Sequence, residues 1–487
     1  MENKRQYTLL TIDELKTASA GFTVCQGGGI TGFSSVATDS RDVKEGSLFV
    51  PLIGEFQDGH KYIPQAIENG ASIIFVAEDE FSKNPEKYEN LTKQNAVAFV
   101  IVKNTLKALQ NAAQAYVEKF PNLIKVAITG SSGKTTTKEL CVSVLKQKFR
   151  VVYTQGNLNS ETGLPLSVFQ IREDDEAGVF EMGMNHKNEI GDLSVILKAK
   201  YGIITNIGTA HIGLLGSRQN IAEEKRKVFD FIPEDGVAFI PENDDFSDFL
   251  AEGVKSKIVR TGLSSSEKIS NVKNLGIEGT EFSYKGEKIH LKLPGSYNFL
   301  NALTAVALGE ELGLTPEQIK TGIESVPVLD GRSQILHFSV NSVNLTVLQD
   351  CYNANPDSVE KSLSLCSSVK GRKCLVLGDM LELGAESESA HEKIGKIAAE
   401  IARDGETKLV FIGPEMKAAV KAAESEGIKN IVYSSEFKAD DIERIVKEEI
   451  LTLADESFVL LKGSHGIGLE RIRSYLQRIQ EAENEQL

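Results

Sequence analysis

Residues 129–137 read Thr-Gly-Ser-Ser-Gly-Lys-Thr-Thr-Thr, between an apolar run at 124–129 and a helical pattern at 134–148. This order predicts a strand, a tight loop and a helix, so that backbone N–H groups and a helix N-terminus can surround phosphate oxygens. Lys134 would reach the β- and γ-phosphates, and the Thr135 hydroxyl would bind Mg²⁺. We therefore predict a nucleotide phosphate site formed by Gly130, Ser131, Ser132, Gly133, Lys134, Thr135 and Thr136.

The sequence around this loop narrows the kind of nucleotide-binding protein. Ile128 replaces the first glycine of the usual motif, so the pattern is GxxGKT rather than GxxxxGKT. The guanine-reading NKxD segment of a GTPase is missing from the sequence. The carboxylate that a P-loop ATPase needs at a strand end is matched by Glu181, where it would be a hard oxygen ligand for Mg²⁺. A solvated strand end is an equally good interpretation of Glu181 from the sequence alone.

Short apolar runs alternate with amphipathic helical stretches on both sides of the loop, which is typical of α/β domains. A chain of 487 residues predicts about three domains. Pro121 precedes the strand that leads into the loop, and Pro327 precedes a last block of strands and helices. We predict an N-terminal α/β substrate domain at 1–121, a central P-loop ATPase-like domain with a parallel sheet at 122–328, and a Rossmann-like domain at 329–487.

Composition and charge restrict the partners and the compartment. A net charge of −15 argues against broad nucleic-acid binding, although a local basic cluster can still bind an anionic small molecule. No run approaches the roughly 18 apolar residues of a membrane span, and residues 1–7 lack the apolar stretch of a signal peptide. Five cysteines without CxxC spacing favour free thiols in a reducing compartment. We expect a cytoplasmic protein, with a mild preference for a monomer.

Several runs along residues 38–469 resemble the Mur ligase family, beginning with the phosphate loop itself. The resemblance implies an ATP-dependent ligase that converts a carboxylate into an acyl phosphate, which an amine then attacks. It further implies a UDP-N-acetylmuramoyl tripeptide and D-alanyl-D-alanine as the substrates. The runs that carry the resemblance are Gly156-Asn157-Leu158-Asn159, Glu181-Met182-Gly183-Met184-Asn185-His186, Asn206-Ile207-Gly208-Thr209-Ala210-His211-Ile212-Gly213, Tyr352-Asn353-Ala354-Asn355-Pro356-Asp357-Ser358 and Leu377-Gly378-Asp379-Met380-Leu381-Glu382-Leu383-Gly384.

Two other interpretations stay open at this point. A ligase that adds the preceding diamino acid would share the ATP loop but would carry a different C-terminal signature. A regulatory nucleotide-binding protein could share the scaffold without catalysis. The catalytic and metal-binding set argues against the regulatory interpretation, because it occurs complete: Lys134, Thr135, Glu181, His211 and Lys225.

The resemblance implies two Mg²⁺ sites. Thr135 and Glu181 would hold one ion, and His211 with a carbamylated Lys225 would hold the other. Asn220 is expected to cap the helix that carries Lys225, with Glu223 in the capping-box position. From the residues alone, Arg226 or Lys227 would serve as well as Lys225. The predicted catalytic residues are Lys134, His211 and Lys225.

The resemblance also implies where the nucleotide would lie. Asn298 and Asn301 would bind adenosine, although both asparagines also suit the start of a helix as caps. Tyr297 stands where the family usually has histidine. Arg332 would lie near the ATP phosphates, and Asp350 near the ribose.

The remaining predicted residues concern the other substrates. Ser40 and Arg41 would bind the uridine diphosphate, since an arginine fork suits a pyrophosphate. The C-terminal loop would orient the amine or close over ATP, although an Asn-Pro-Asp turn would have the same sequence. His465 replaces the arginine that usually follows Lys-Gly-Ser in this loop. The further predicted substrate residues are Asn157, Asn159, Asn185, His186, Asn353, Asn355 and Asp357.

Overall fold

The structure is a computed structural model that describes residues 7–26, 29–264 and 267–485. The N-terminal part holds a five-stranded sheet in the order β2-β7-β6-β5-β4, parallel except for the edge strand β2. Its strands are Leu10–Thr11 (β1), Phe22–Gln26 (β2), Gly32–Phe33 (β3), Ser35–Ala37 (β4), Ser47–Phe49 (β5), Ala71–Ala77 (β6) and Ala98–Val102 (β7). Its helices are Ile12–Ser19 (α1), Ile63–Glu68 (α2), Glu78–Lys83 (α3), Pro85–Gln94 (α4) and Thr105–Val117 (α5).

The central part is built on a six-stranded parallel sheet in the order β13-β12-β11-β8-β10-β9. A separate antiparallel sheet, β14-β15-β16, lies beside it and was not predicted. The strands are Ile124–Thr129 (β8), Val151–Tyr153 (β9), Ala177–Glu181 (β10), Tyr201–Ile204 (β11), Val237–Pro241 (β12), Lys257–Thr261 (β13), Ile269–Asn274 (β14), Thr280–Tyr284 (β15) and Glu287–Leu291 (β16). The helices are Lys134–Leu145 (α6), Gly163–Val168 (α7), Glu189–Leu197 (α8), Ile212–Leu215 (α9), Arg218–Arg226 (α10), Ser247–Ala251 (α11), Ser296–Glu311 (α12) and Pro316–Glu324 (α13).

The C-terminal part has a six-stranded sheet in the order β17-β18-β22-β19-β20-β21. All its strands are parallel apart from the edge strand β17. The strands are Gln334–Val340 (β17), Val343–Asp350 (β18), Lys373–Gly378 (β19), Thr407–Ile412 (β20), Ile431–Ser434 (β21) and Ser457–Lys462 (β22). The α-helices are Pro356–Ser368 (α14), Ser387–Ala402 (α15), Met416–Ser425 (α16), Ala439–Arg444 (α17) and Glu470–Asn484 (α18). The predicted α/β fold class with parallel sheets is confirmed, whereas the boundaries at 121 and 328 stay predictions.

The central sheet positions the predicted site through its strand order. Strands β11, β8 and β10 are neighbours and run parallel, so their carboxyl ends meet at one edge. The phosphate loop follows β8, Glu181 is the last residue of β10, and His211 lies in the loop that follows β11. Residues that are far apart in the sequence are thereby brought to one edge of the sheet.

The N-terminal and central parts share an apolar core, whereas the C-terminal part is built on cores of its own. One buried cluster extends from the N-terminal part into the central part, and α5 contributes Leu109, Tyr116 and Val117 to it. The Tyr116 hydroxyl also donates to the Ile171 carbonyl at 2.6 Å, across the same junction. The buried residues of the two C-terminal clusters come from the C-terminal part alone. The first two parts therefore share a core, and the C-terminal part has its own.

Two sequence-based expectations concern thiols and membranes. Cys141, Cys351, Cys366 and Cys374 are free and buried, and the side chain of Cys25 lies outside what the structure describes. Among the helices in the described ranges, none has the combined length and apolar character needed to cross a bilayer.

Candidate active site

The phosphate loop lies in a cleft between the central and C-terminal parts. The cleft brings together most of the predicted residues and adds several others. The predicted residues that line it are Ser131, Ser132, Gly133, Lys134, Thr135, Thr136, Asn157, Asn159, Glu181, Asn185, His211, Asn298, Asn301, Arg332, Asp350, Asn353 and Asn355.

The phosphate loop is shaped by its first glycine and by a neighbouring strand end. Gly130 has φ 150°, and a Cβ there would lie 1.8 Å from the Thr205 hydroxyl oxygen. The Ser131 N–H donates to the Asn206 carbonyl at 3.0 Å, and the Ser132 N–H donates to the Asn206 side-chain oxygen at 3.1 Å. Asn206 thus holds the loop that would receive phosphate. Asn206 lies in a run that carries the family resemblance but was not predicted as a site residue.

Glu181 is a buried member of a polar cluster, with only 2% of its surface exposed. One carboxylate oxygen accepts a hydrogen bond from the Thr135 hydroxyl at 2.8 Å, and the other accepts from the Asn159 amide at 2.7 Å. The Glu181 N–H donates to the Thr154 hydroxyl at 3.0 Å, which fixes the strand end. The alternative of a solvated strand end is therefore wrong.

The oxygen donors around Thr135 fit a magnesium ion. Mg²⁺ usually takes one or two carboxylates together with substrate phosphates, rather than a cage made by the protein alone. Thr135 and Glu181 supply a hydroxyl and a carboxylate beside the phosphate loop. Across the described residues, no group of three or more His, Cys, Asp or Glu side chains is placed to hold a metal. These donors would therefore hold an ion together with nucleotide phosphates.

Lys225 is buried beside the phosphate loop. Its Nζ donates to the Gly130 carbonyl at 3.0 Å, and the Nζ of Lys134 donates to the same oxygen at 2.9 Å. Burial, followed by the charge of Lys134, lowers the pKa of Lys225 well below the usual lysine value. Burial also lowers the pKa of Lys134. This environment favours a neutral amine at Lys225.

Arg226 and Lys227, the basic residues next to Lys225, contact other groups than the phosphate loop. The structure thereby distinguishes three residues that were equally good candidates from the residues alone. Lys227 pairs with Glu224 at 2.6 Å, and the Arg226 guanidinium donates to the Glu252 carbonyl. Neither side chain bonds the phosphate loop. Of the three basic residues, Lys225 is the one that fits the predicted role.

The predicted start of the Lys225 helix is wrong. Helix α10 begins at Arg218, and Ser217 is its N-cap because the Ser217 hydroxyl accepts from the Asn220 N–H at 3.1 Å. Asn220 lies inside the first turn, and its side chain donates to the Leu215 carbonyl at 2.6 Å. Glu223 is accordingly not part of a capping box.

His211 faces the C-terminal part across the cleft. Its backbone is left-handed, with φ 65°, and it precedes the short helix α9. Its Nδ1 lies 3.0 Å from a carboxylate oxygen of Glu382, although the two groups are not aligned as a hydrogen bond. The His211 ring beside this carboxylate lowers the pKa of Glu382. Glu382 was quoted in a motif but was not predicted as a site residue.

Asn298 and Asn301 lie in the first turns of α12, opposite the phosphate loop. Gly295 occupies the N-cap position and no side chain caps the helix, so the capping alternative is wrong. The Asn298 amide donates to the Pro294 carbonyl at 2.8 Å, and its oxygen accepts from Asn301 at 3.2 Å. Asn301 also lies beside Gly133, where a Cβ would meet its side-chain oxygen at 2.9 Å.

The C-terminal wall of the cleft is organised around Asp350. Burial alone would raise the pKa of Asp350, but the Lys462 ammonium at 2.8 Å, together with hydrogen bonds from Ser362 and Ser333, holds the pKa below its usual value. The Ser333 N–H donates to the other oxygen at 3.0 Å. Ser333 also meets the Tyr297 hydroxyl at 3.0 Å, which connects this wall to α12.

An aromatic stack extends the same wall. The Arg332 guanidinium lies 4.0 Å from the Tyr352 ring centroid, within cation–π distance. His465 is another neighbour of Tyr352, and its ring stacks on the Tyr352 ring with centroids 5.6 Å apart. His465, the departure from the family pattern, therefore acts as a packing partner of Tyr352.

The loop after β18 divides into cleft residues and a contact between parts. Asn355 caps α14, since its side-chain oxygen accepts a hydrogen bond from the Ser358 N–H at 2.9 Å. This is the geometry expected of an Asn-Pro-Asp turn, and Asn355 also lines the cleft. Asp357 does not line the cleft. Its carboxylate accepts from the Thr209 N–H at 2.7 Å and from the Thr209 hydroxyl at 2.9 Å.

Some predicted residues lie away from the cleft lining. Ser40 is buried in the N-terminal part and donates to Gln65 at 2.7 Å, while exposed Arg41 pairs with Asp39 at 2.5 Å. The His186 N–H donates to Glu189 at 3.2 Å. Gly183, Met184, Tyr352 and Ser358 belong to runs that carry the family resemblance, although they were not predicted as site residues. Besides Asn206, the lining residues that were not predicted are Ser160, Gly183, Met184, Tyr297, Ser333, Tyr352, Ser358, Lys361 and Lys462.

Three family descriptions match successive stretches of the chain. Residues 33–117 match the Mur ligase family catalytic domain, 128–309 match the Mur ligase middle domain, and 331–465 match the Mur ligase glutamate ligase domain. The chain belongs to the Mur ligase family and is an ATP-dependent ligase.

Named relatives narrow the comparison within this family. The chain is 40% identical over 471 residues to UDP-N-acetylmuramoyl-tripeptide–D-alanyl-D-alanine ligase of Treponema pallidum, with 96% of this chain and 99% of the relative covered. The structure of MurF from Acinetobacter baumannii matches with a TM-score of 0.83 and 28% identity, covering 96% of this chain and 98% of that one. MurF ligase from Thermotoga maritima in complex with ADP matches with a TM-score of 0.73 and 26% identity, covering 92% and 98%.

Proposed function

We propose that this chain uses ATP to join D-alanyl-D-alanine to a UDP-N-acetylmuramoyl tripeptide, in the synthesis of a peptidoglycan precursor. The observation that carries the proposal is the near-complete match to a ligase of this name, at 40% identity over 96% of the chain. The site supports it chemically, since a buried carboxylate and two lysines contact the phosphate loop, although Lys225 itself does not line the cleft. A cytoplasmic location fits an enzyme that consumes ATP and a UDP-linked substrate.

The reaction has to make a carboxylate electrophilic. The terminal carboxylate oxygen of the tripeptide attacks the γ-phosphorus of ATP, and ADP leaves, so that an acyl phosphate forms. The amine of the dipeptide then attacks the acyl carbon, loses a proton, and inorganic phosphate leaves. Negative charge moves across the phosphoryl oxygens during the first step, where fixed cations stabilise it. Lys134 is the residue placed for this role at the phosphate loop.

The other cleft residues would bind and orient. Asn298 and Asn301 would contact adenosine, Asp350 the ribose and Arg332 the phosphates, because all four line the cleft around the loop. Bound Mg²⁺ would neutralise phosphate charge, held by Thr135 and Glu181.

A second ion would require Lys225 to become an oxygen ligand. A neutral lysine amine adds to CO₂ and releases a proton, giving a carbamate anion. The buried position of Lys225, and its lowered pKa, favour the neutral amine that this step needs. His211 would be the other protein ligand, since it lines the cleft at the phosphate loop that Lys225 contacts.

The substrate side of the cleft is formed by two loops of the central part. Asn157, Asn159 and Asn185 line it, and we assign them to the tripeptide end that receives the phosphoryl group. Asn353 and Asn355 line the opposite wall and would orient the dipeptide. Ser40 and Arg41 would bind uridine diphosphate on the N-terminal part.

The test is phosphate release from ATP with UDP-muramoyl tripeptide and Mg²⁺, measured with and without D-alanyl-D-alanine. The proposal expects release that needs both substrates and a UDP-muramoyl pentapeptide as the product. Release with a UDP-muramoyl dipeptide and a diamino acid instead would assign the preceding ligation step. ATP binding without release in either assay would contradict a ligase function.

A further inference from the structure

Two residues in left-handed backbone conformations meet across the cleft. His211 has φ 65° and Glu382 has φ 68°. Residues other than glycine keep such conformations where the surrounding structure holds them, and they concentrate at functional sites. The Nδ1 of His211 lies 3.0 Å from the Glu382 carboxylate, and the exposed fractions of the two side chains are 14% and 54%. The Glu382 carboxylate of the C-terminal part thus faces His211, a predicted catalytic residue of the central part.

Glu382 is fixed to the C-terminal part by the residues directly before it. The Met380 N–H donates to Nε2 of the buried His391 at 3.0 Å. The Leu381 N–H donates to the Ser464 hydroxyl at 3.0 Å. The turn that carries Glu382 therefore moves with the C-terminal part.

His211 belongs to the central part, and the two loops meet backbone to backbone. A Cβ at Gly213 would lie 2.6 Å from the Gly384 nitrogen, and a Cβ at Gly384 would lie 2.9 Å from the Gly213 Cα. Two glycines are therefore needed for this approach. The carboxylate reaches the His211 ring only when the C-terminal part is docked against the central part.

We propose that Glu382 is a positioning residue for His211, and that docking of the C-terminal part brings it into place. A histidine that binds a metal commonly donates its other ring N–H to a carboxylate, which fixes the tautomer and the ring orientation. In the structure the Glu382 carboxylate lies 3.0 Å from Nδ1 without being aligned as a hydrogen bond. When the carboxylate turns to accept the Nδ1 proton, Nε2 keeps the free lone pair. The importance of this lone pair rests on the proposed function, in which His211 is a metal ligand.

The experiment compares three variants of the full chain: Glu382→Ala, Glu382→Gln and Glu386→Gln. Glu386 lies on the same turn and bonds only Ser389 at 3.3 Å among the described side-chain contacts, so it is the matched control. The tautomer of His211 is read from ¹⁵N chemical shifts of histidine-labelled protein with ADP. The chain has seven histidines, and His211→Ala assigns the signal. The kcat and the KM for ATP are measured in parallel.

We expect the wild-type spectrum to show His211 protonated at Nδ1, and Glu382→Ala to shift it toward the Nε2-protonated form. The kcat of Glu382→Ala should fall by about 10–100-fold, as for other residues that orient metal ligands. The KM for ATP should stay unchanged, Glu382→Gln should recover part of kcat because its carbonyl oxygen still accepts, and Glu386→Gln should behave as wild type. An unchanged His211 spectrum in Glu382→Ala would overturn the proposal, as would a changed tautomer with normal kcat. A wild-type chain without ligase activity would instead refute the proposed function, while the spectra would still test the contact.

Discussion

At the scale of single residues, two lysines donate to the same carbonyl oxygen of the phosphate loop. Lys134 and Lys225 both donate to the Gly130 oxygen, at 2.9 Å and 3.0 Å. Two ammonium groups so close repel each other, and burial penalises the charge of both. The arrangement is relieved when one lysine is neutral, and Lys225 has the more strongly lowered pKa.

We expect Lys225→Ala to reduce ligase turnover by about 100-fold or more, since one lost electrostatic contact at a reaction centre typically costs 10²–10³ in rate. Added short carboxylates should restore part of the activity, because they can replace the oxygens of a carbamate. Lys227→Ala is the matched control, since Lys227 pairs with Glu224 and Asn188 outside the cleft lining. Steady-state turnover with a range of formate and acetate concentrations measures both effects. Wild-type turnover in Lys225→Ala would remove the assignment.

The sequence predicted Lys134, Thr135 and Glu181 correctly as neighbours, because a strand–loop–helix motif and an adjacent strand end determine their positions. It could not separate Lys225 from Lys227. Side chains two positions apart on a helix point to nearly opposite sides, because each residue turns the helix by about 100°. Which of the two lysines reaches the phosphate loop therefore depends on the face of α10 that packs on that loop. Local sequence does not contain that information. The ion pair between Asp350 and Lys462 could not be predicted from local sequence either. Strands β18 and β22, which carry these residues, are neighbours in the sheet but lie far apart in the sequence.

At the scale of elements, the start of α10 decides where Lys225 lies. Both Ser217 and Asn220 are good N-cap residues, and Asn220 with Glu223 has the better capping-box spacing. The helix nevertheless begins a turn earlier, with Ser217 as the cap and the Asn220 side chain bonded back to Leu215. Since α10 ends at Arg226, Lys225 lies in its last turn.

We expect Ser217→Ala to destabilise the start of α10 by about 1 kcal/mol, the usual cost of a lost N-cap. Asn220→Ala should cost less, because it removes one exposed side-chain bond and leaves the cap intact. Hydrogen exchange of the α10 amides in the native state measures the two effects. Equal protection in the two variants, or greater loss in Asn220→Ala, would contradict the observed helix start.

The antiparallel sheet β14-β15-β16, which was not predicted, contains a tight hairpin between β15 and β16. Strand β15 alternates buried and half-buried residues, and β16 follows it after Lys285 and Gly286, both at positive φ. Two positive-φ residues between alternating strands are the pattern of a tight hairpin, and Tyr284 pairs with Glu287 across it. Lys-Gly is a weaker hairpin signal than Asn-Gly, so the sequence indicates this hairpin only weakly. The parallel strands were easier, because continuous buried runs mark them.

At the scale of the whole molecule, the C-terminal part is joined to the rest differently from the N-terminal part. The N-terminal and central parts share one apolar core through α5. Around the cleft, the C-terminal part meets the central part mainly through polar groups, such as Asp357 on Thr209 and Glu382 beside His211. Two half-buried residues of the central part, Ile212 and Ile277, also pack on the C-terminal core. Polar contacts exchange readily with water, whereas a shared core does not open without exposing apolar surface. The C-terminal part is thus the one suited to close over ATP and to release products.

Asp357 is the residue through which this closure can be tested. Its carboxylate accepts two hydrogen bonds from Thr209, and hydrogen bonds to a charged group contribute about 1.5–3 kcal/mol. We expect Asp357→Ala to shift the ADP-bound molecule toward open forms by about tenfold or more, since 1.4 kcal/mol corresponds to a factor of ten. Small-angle scattering with ADP should show a larger radius of gyration, and turnover should fall together with it.

Two further variants decide whether such an effect comes from this contact. Glu360→Ala removes a carboxylate from the same helix that pairs with Lys393 inside the C-terminal part, so closure should be normal. Thr209→Val removes the hydroxyl donor but keeps the backbone N–H, so its effect should be smaller than that of Asp357→Ala. Hydrogen exchange at residues 206–211 should rise in the same order, because this loop loses its partner on opening. If Asp357→Ala and Glu360→Ala gave the same scattering curve and the same exchange, the Asp357–Thr209 contact would have no part in closure.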